Sequence, residues 1–493
     1  MKKSDTSRRG AYYLLAAVFV VSRVIFYLLG IRFDSTPLDT FWQFIDPVLL
    51  QARLWESLFY LHSQPPLFNL FLGIVLNISP EHYTAMYHGV YFLLGAWMTY
   101  LLFELLNGLG LSVKWACGVT LAFILSPPAI IFEHWLFYDY PLAALFSAAA
   151  LCLFRYFQSK RTIHIFLFFC TVAAIVLIRS LFHVLWGFGI LAILLAYFPR
   201  NRRQIFLASA LPMVLLLGLF AKNYLIFHTL SGSTWLGQHL ARVTTAEIPE
   251  KDRDELIKEG KLSPLAAIGA FSQLWIYRPY LAEEKKTGIP VLDSATKVSQ
   301  AANFNNINYI AISKVYLSDA LVSIRKFPGV FLISVVKSFF FYIRCPSEFY
   351  MLAGNVNKIG LYETLYRRII YGEFTDHPDP MLKVQGDPEY QRKLFFSTPW
   401  FTLLVLPALL IYCIILVRRI LRSKLYDNPR SVVIVFITVN LLYVTLIANV
   451  MEMGENNRIR FMMDPFLVVM LALMVKDILR YFRERKSKAK LAS

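Results

Sequence analysis

The sequence has no CxxC pair, no compact metal-ligand motif, no small-x-small cleavage site after its first apolar run, no internal repeat and no low-complexity segment. Each absence excludes something. The five cysteines are Cys117, Cys152, Cys170, Cys345 and Cys413, most of them inside apolar runs, so neither a disulfide framework nor a zinc site is implied. Without a cleavage site, the run that begins near Ala11 reads as a retained anchor. Acidic residues are the scarcer charge, 32 against 50 Lys and Arg, for a net charge of +18. That excess would suit nucleic acid, yet much of it sits in short clusters beside apolar runs. These are Lys2-Lys3-Arg8-Arg9, Lys160-Arg161, Arg200-Arg202-Arg203, Arg418-Arg419-Arg422-Lys424 and the tail from Arg480 to Lys490. Such placement is the positive-inside signature of cytoplasmic loops, and no nucleic-acid partner is expected.

What the chain does contain is apolar surface: 57% hydrophobic residues and a mean hydropathy of +0.52 over 493 residues. Several runs approach the roughly 20 residues needed to cross a bilayer. The expectation is an all-α polytopic membrane protein with about ten transmembrane helices, interfacial helices and an external, mostly helical domain. The expected spans are 11–30, 83–106, 113–131, 142–157, 163–178, 181–198, 205–221, 401–417, 432–448 and 466–479, with both termini cytoplasmic. Residues 1–222 form an N-terminal transmembrane module with an outer loop at 31–64. Residues 223–396 form the external domain, and 397–493 a C-terminal module whose hairpin tip is 451–464. Pro47–Tyr60 reads as an amphipathic surface helix and Pro66–Ser79 as an interfacial one. Val330–Ile343 covers only about 21 Å of a ~30 Å core, so it too reads as interfacial.

Three polar clusters fall on the outer face by this topology. The first holds Asp34, Asp39 and Asp46 with His62 and Gln64 of His62-Ser63-Gln64-Pro65-Pro66-Leu67, where two prolines must break any helix. The second is Glu133, His134 and Asp139. The third is Glu455, Arg458 and Arg460 in Gly454-Glu455-Asn456-Asn457-Arg458-Ile459-Arg460. A carboxylate at a bilayer surface suits a general base, and arginine presents a planar fork of donors to phosphate oxygens. Each cluster also has a purely structural reading. Asp46 suits a helix N-terminus, His62 a turn cap, Glu133 and His134 a solvated loop, and the two arginines a headgroup anchor.

In this order the features resemble the GT-C superfamily of integral-membrane glycosyltransferases, particularly protein O-mannosyltransferase-like enzymes and the bacterial lipid A aminoarabinose transferase. In such families an acidic residue in the loop after the first span is the catalytic base, matched here by Phe33-Asp34-Ser35-Thr36-Pro37-Leu38-Asp39 and by Ile45-Asp46-Pro47. A proline-containing surface helix with a His-Pro-Pro-Leu core is matched by His62 to Leu67 with two residues inserted. An acidic residue opening the fourth span is matched by Asp139-Tyr140-Pro141. The acids here are spaced rather than adjacent, which leaves the base open among Asp34, preferred for its closeness to the first span, Asp46 and Asp39. The resemblance covers the first ~180 residues and the last hairpin, and does not reach the external domain.

The resemblance implies a polyprenyl-phosphate-linked sugar donor and a glycan, lipid or protein acceptor. It implies inverting transfer without a cofactor, although the oligosaccharyltransferase branch does use a divalent metal. Phosphate would be held by Arg458 and Arg460, with Lys222, and sugars oriented by His62 and Gln64. A bacterial inner membrane fits the short basic loops. The alternative is a multispanning transporter or lipid flippase, which would place ionisable groups at mid-membrane and show inverted repeats. A non-catalytic assembly partner is a third reading.

Overall fold

The computed structural model describes residues 2–281, 283–374, 397–425 and 427–492. The last part of the expected external domain, 375–396, lies outside the described residues. The fold is all-α, and pairing between extended segments among the described residues is limited to the isolated bridges Asp34–Trp135 and Thr296–Ala302.

The chain opens with α1 (Lys2–Leu28), followed by the short helices α2 (Pro47–Ala52), α3 (Leu54–Phe59) and α4 (Leu67–Ile78). The single helix expected over Pro47–Tyr60 is divided at Arg53, whose backbone leaves the helical region (φ −142°, ψ 46°). Next come α5 (Tyr83–Gly108), α6 (Val113–Ile124), α7 (Pro127–Glu133), α8 (Asp139–Ser159), α9 (Thr162–Ile178), α10 (Val184–Tyr197) and α11 (Arg202–Phe227). The span expected at 113–131 is bent by 59° between α6 and α7. Proline cannot donate to the preceding turn, so Ser126-Pro127-Pro128 ends one helix and begins another, with the Ser126 side chain accepting from the Ala129 amide.

The segment expected to be external, called the external segment below, contains α12 (Leu236–Val243), α13 (Asn308–Lys326) and α14 (Pro328–Ile343), the last two bent by 106° at Phe327. It has a hydrophobic cluster of its own, built on Trp235, Leu274, Tyr277, Phe304, Tyr309 and Tyr316. The chain closes with α15 (Trp400–Arg422), α16 (Pro429–Met451), α17 (Asn456–Phe461) and α18 (Asp464–Ala492).

Among the described residues six helices are long and apolar enough to cross a membrane, or up to eight if each bent pair is one span. The count expected from sequence was ten. Of the ten, the 113–131 span is the bent pair α6–α7, α9 and α10 have 17 and 14 residues, short of a ~30 Å core at 1.5 Å per residue, and α18 carries Lys476, Asp477 and Arg480; the bent pair α13–α14 was not among the ten. The loops after α1, α7 and α9, and the turn between α16 and α18, converge at one end of the bundle, as their mutual hydrogen bonds show.

Candidate functional site

Asp139 is the first residue of α8, where a carboxylate is favoured by the unpaired amides of the helix start. It is fully buried and accepts from two arginines, Arg179 on Oδ1 and Arg458 Nη1 on Oδ2 at 2.9 Å. Arg179 stands where α9 ends in extended backbone, and its guanidinium lies 5.1 Å from the Tyr138 ring. Arg458 also donates through Nη2 to Glu455. Its Nε has no hydrogen-bond partner among the described residues. Aromatic rings fix the plane of this guanidinium, Phe137 at 4.5 Å and Phe349 at 5.2 Å. Burial opposes the Arg458 cation, but Glu455 and Asp139 outweigh it, so its pKa stands above the ordinary guanidinium value. Formal charge within Asp139, Arg179, Glu455 and Arg458 sums to zero.

The turn that presents Arg458 is itself held. Gly454 adopts φ +98°, a conformation open to glycine, and donates to Asn456 Oδ1 at 3.0 Å. Asn457 Nδ2 donates to the Cys345 carbonyl at 3.0 Å. Arg460 points the other way. It donates to Asp464 (3.1 Å), the Tyr342 carbonyl (2.6 Å) and the Tyr371 hydroxyl (2.8 Å), so all its nitrogens are engaged in packing α17 against its neighbours. The two arginines expected to act together therefore have different partners, and of the two it is Arg458 that has a nitrogen, Nε, without a partner among the described residues.

Of the proline motif, Gln64 reaches this neighbourhood, accepting from Ser180 Oγ at 3.4 Å beside Arg179. His62 faces the external segment instead. Its Nδ1 meets Thr234 Oγ1 and its Nε2 the Asn305 carbonyl, each at 2.9 Å. The amides of His62 and Ser63 both donate to Asn305 Oδ1, and Ser233 Oγ donates to the Ser63 carbonyl. Burial pushes the imidazole down to about 3, so His62 is neutral. The motif thus fastens the external segment onto the bundle. Lys222 Nζ donates to the Leu61 carbonyl at 2.7 Å and is not part of the Asp139 cluster.

The three loop carboxylates differ in how their oxygens are used. Asp34 joins its backbone to the segment after α7, donating to the His134 carbonyl (2.8 Å) and accepting from the Leu136 amide (2.9 Å). Its Oδ1 accepts from the amide and hydroxyl of Thr36, while Oδ2 has no partner among the described residues. Trp135, opposite Asp34, stacks on Phe137 at 4.6 Å and meets Phe349 at 5.7 Å, the same rings that flank Arg458. Asp46 has both oxygens occupied, Oδ1 capping α2 through the Val48 amide and Oδ2 accepting from the Val298 amide. Asp39 is exposed; loss of hydration raises its carboxyl pKa and Asp46 adds to this, against the pull of Lys297. Lys297 is buried, donates to the Phe41 carbonyl at 2.6 Å, and is lowered by burial to about 8.

Glu133 and His134 are buried rather than solvated, and point away from the Asp139 cluster. Glu133 accepts a two-point contact from Arg23 of α1 (3.0 and 2.6 Å) and a third bond from Tyr140 at 2.7 Å. His134 Nδ1 meets the Ile130 carbonyl at 2.8 Å. The residue that sequence reasoning passed over is Arg179. Its signal was an arginine at the end of an apolar run opposite the basic clusters, an exception to the positive-inside pattern. Among the described residues no three His, Cys, Asp or Glu side chains converge as a metal-binding group. Comparison of the chain with protein-family models, with curated proteins and with solved structures finds no match.

Proposed function

We propose that the chain is a membrane glycosyltransferase that moves a sugar from a polyprenyl-phosphate donor to an acceptor hydroxyl, at the end of the bundle where Asp139 and Arg458 meet. The observation that carries this reading is the Arg458 guanidinium, buried, held flat between rings, and keeping Nε free beside the Nη2 bonded to Glu455. The Nε and Nη2 edge is the one that binds a phosphate in two-point fashion. Glu455, 17% exposed, takes one of the two donors, and a phosphate arriving from the bilayer side takes both.

Asp34 supplies the base. Its free Oδ2 accepts the acceptor proton, the acceptor oxygen forms the new bond to the anomeric carbon, and the bond from that carbon to phosphate oxygen breaks on the opposite side. Configuration inverts, and the polyprenyl phosphate leaves with its charge held by Arg458. Asp139 and Arg179 position Arg458 from behind. The basic clusters at the other end of the bundle favour a cytoplasmic location for that end, so the site faces the periplasm or a lumen; a bacterial inner membrane fits this arrangement.

A transporter is the second reading, favoured by the Arg23–Glu133 pair buried between α1 and α7. One experiment separates the two. The purified protein is given radiolabelled polyprenyl-phosphate sugars, with Asp34→Asn and Arg458→Ala alongside. Turnover or donor hydrolysis lost in both variants supports the transferase. Donor binding without turnover, combined with movement of the lipid between leaflets of a vesicle, overturns it.

A further inference from the structure

The external segment meets the bundle beside the candidate site at a face of different chemistry. Trp42, two residues beyond Thr40 in the loop that bears Asp39, stacks on Phe271 of the external segment at 5.0 Å and 19°. His239 lies edge-on to Phe271 at 5.1 Å, and the Arg242 guanidinium is 6.0 Å from the same ring. Both belong to α12 and both bind Glu452 of the turn that carries Arg458. Tyr350 lies within electrostatic reach of Arg242 and Glu452 on one side and of Glu455 and Arg458 on the other. Phe41 closes the path by packing on Trp135, the residue opposite Asp34, at 5.6 Å. The face is therefore continuous with both ends of the proposed reaction.

Its surface is amphipathic in a specific way. Trp42 is 38% exposed, and the side chains of His239 and Arg242 are 30% and 21% exposed. Trp42 Nε1, His239 Nε2 and Arg242 Nε have no partner among the described residues. His239 Nδ1 lies 3.0 Å from Glu452 Oε2 and leaves Nε2 toward the face, so three free nitrogens border an aromatic stack. Glu452 neutralises Arg242, which removes the charge an anionic ligand would need. The electron-rich face of an indole attracts the C–H face of a sugar ring, while hydroxyls, each both donor and acceptor, satisfy the nitrogens.

Resting on the transferase reading, we infer that Trp42, Phe271, His239 and Arg242 form the acceptor subsite and that the acceptor is a neutral glycan. A lipid or peptide acceptor is thereby disfavoured, because neither matches a flat ring bordered by free hydrogen-bonding nitrogens.

The test is binding of the purified full chain in detergent to an array of neutral glycans, with Trp42→Ala and Trp42→Phe beside the parent. Binding that weakens about tenfold in Trp42→Ala and is largely kept in Trp42→Phe supports the subsite, the loss matching one stacked ring. Retention in Trp42→Phe also shows that the loop is folded. No binding to any arrayed glycan, equal binding by Trp42→Ala, or binding confined to peptides or lipid vesicles overturns it. Binding of a polyprenyl-phosphate sugar is measured on the same samples. A parent that holds the donor but no glycan ends this inference alone, and one that holds neither ends the transferase reading as well.

Discussion

Arg458 and Asp139, 319 residues apart in the chain, meet at 2.9 Å in a site from which both are excluded from solvent. Arg179 holds the other oxygen of the same carboxylate. A buried charge left without its partner is far more costly than the pair is stabilising.

Asp139→Ala is therefore expected to lower stability by about 3–5 kcal/mol, since it leaves the buried Arg179 without its carboxylate and Arg458 with Glu455 alone. Asp139→Asn retains hydrogen bonding and is expected to cost less. Thermal unfolding in detergent, followed by tryptophan fluorescence, checks the order of the two variants.

Asp34→Asn has the opposite profile. The carboxylate bonds only to neighbouring Thr36, and the longer-range contacts of the residue are made by its backbone. Stability should stay within about 0.5 kcal/mol of the parent, as for other substitutions without a buried partner. Sugar transfer should fall by about 10²–10⁴, the usual contribution of a positioned base. Melting temperature and initial rate, measured on one preparation, test both halves.

Asp46→Asn keeps a side-chain acceptor for the Val48 amide, whereas Asp46→Ala does not. The alanine variant should lose about 1 kcal/mol through the cap on α2, and the asparagine variant much less. A transfer rate that falls equally in both would point to a catalytic Asp46 instead. The rates at saturating donor make the comparison.

The His62 imidazole is neutral in the folded protein, held far below its ordinary value by burial. An unfolded chain takes up a proton there more readily, so stability falls as pH drops below about 6.5 and continues to fall toward about 3. The slope from this one group approaches about 1.4 kcal/mol per pH unit. Unfolding midpoints between pH 7.5 and 5 should show it, with a shallower slope in His62→Gln.

A methyl group at Gly95 would stand 2.4 Å from Glu133 Oε2 and 2.7 Å from the Tyr140 hydroxyl. Gly95→Ala should thus disturb the Arg23–Glu133–Tyr140 group and lower the melting temperature. Gly89→Ala, on the same helix with open space around it, should not.

Much of the helical framework is legible locally. Apolar runs announce α1, α5, α11, α15 and α16, and Ser126-Pro127-Pro128 announces the bend between α6 and α7. Asp46 before Pro47 was readable as a helix start, and it caps α2. Partners were not readable. Nothing near Glu133 indicates that Arg23, 110 residues away, will neutralise it, and nothing near His62 indicates Asn305. Arg458 and Arg460 look alike in sequence, and only packing tells them apart. In the run Ala11–Gly30, Arg23 reads equally as facing other helices or as snorkelling to a headgroup, and only its pairing with Glu133 decides between them. Short apolar stretches such as α9 and α10 read as spans by hydropathy, while among the described residues six to eight helices have the length and composition of a span.

The knot between His62 and Asn305 spans 243 residues, and this sets an order of assembly. At ribosomal rates the two sides emerge on the order of tens of seconds apart. The proline motif is therefore inserted beside its early helices well before its partner exists, with its imidazole and two amides turned toward water. Docking of the external segment must come late, and it removes those groups from solvent in one step. A nascent chain stopped short of Asn305 would carry the proposed donor-binding end half built, lacking Arg458. Completion of the site is thus tied to completion of the chain.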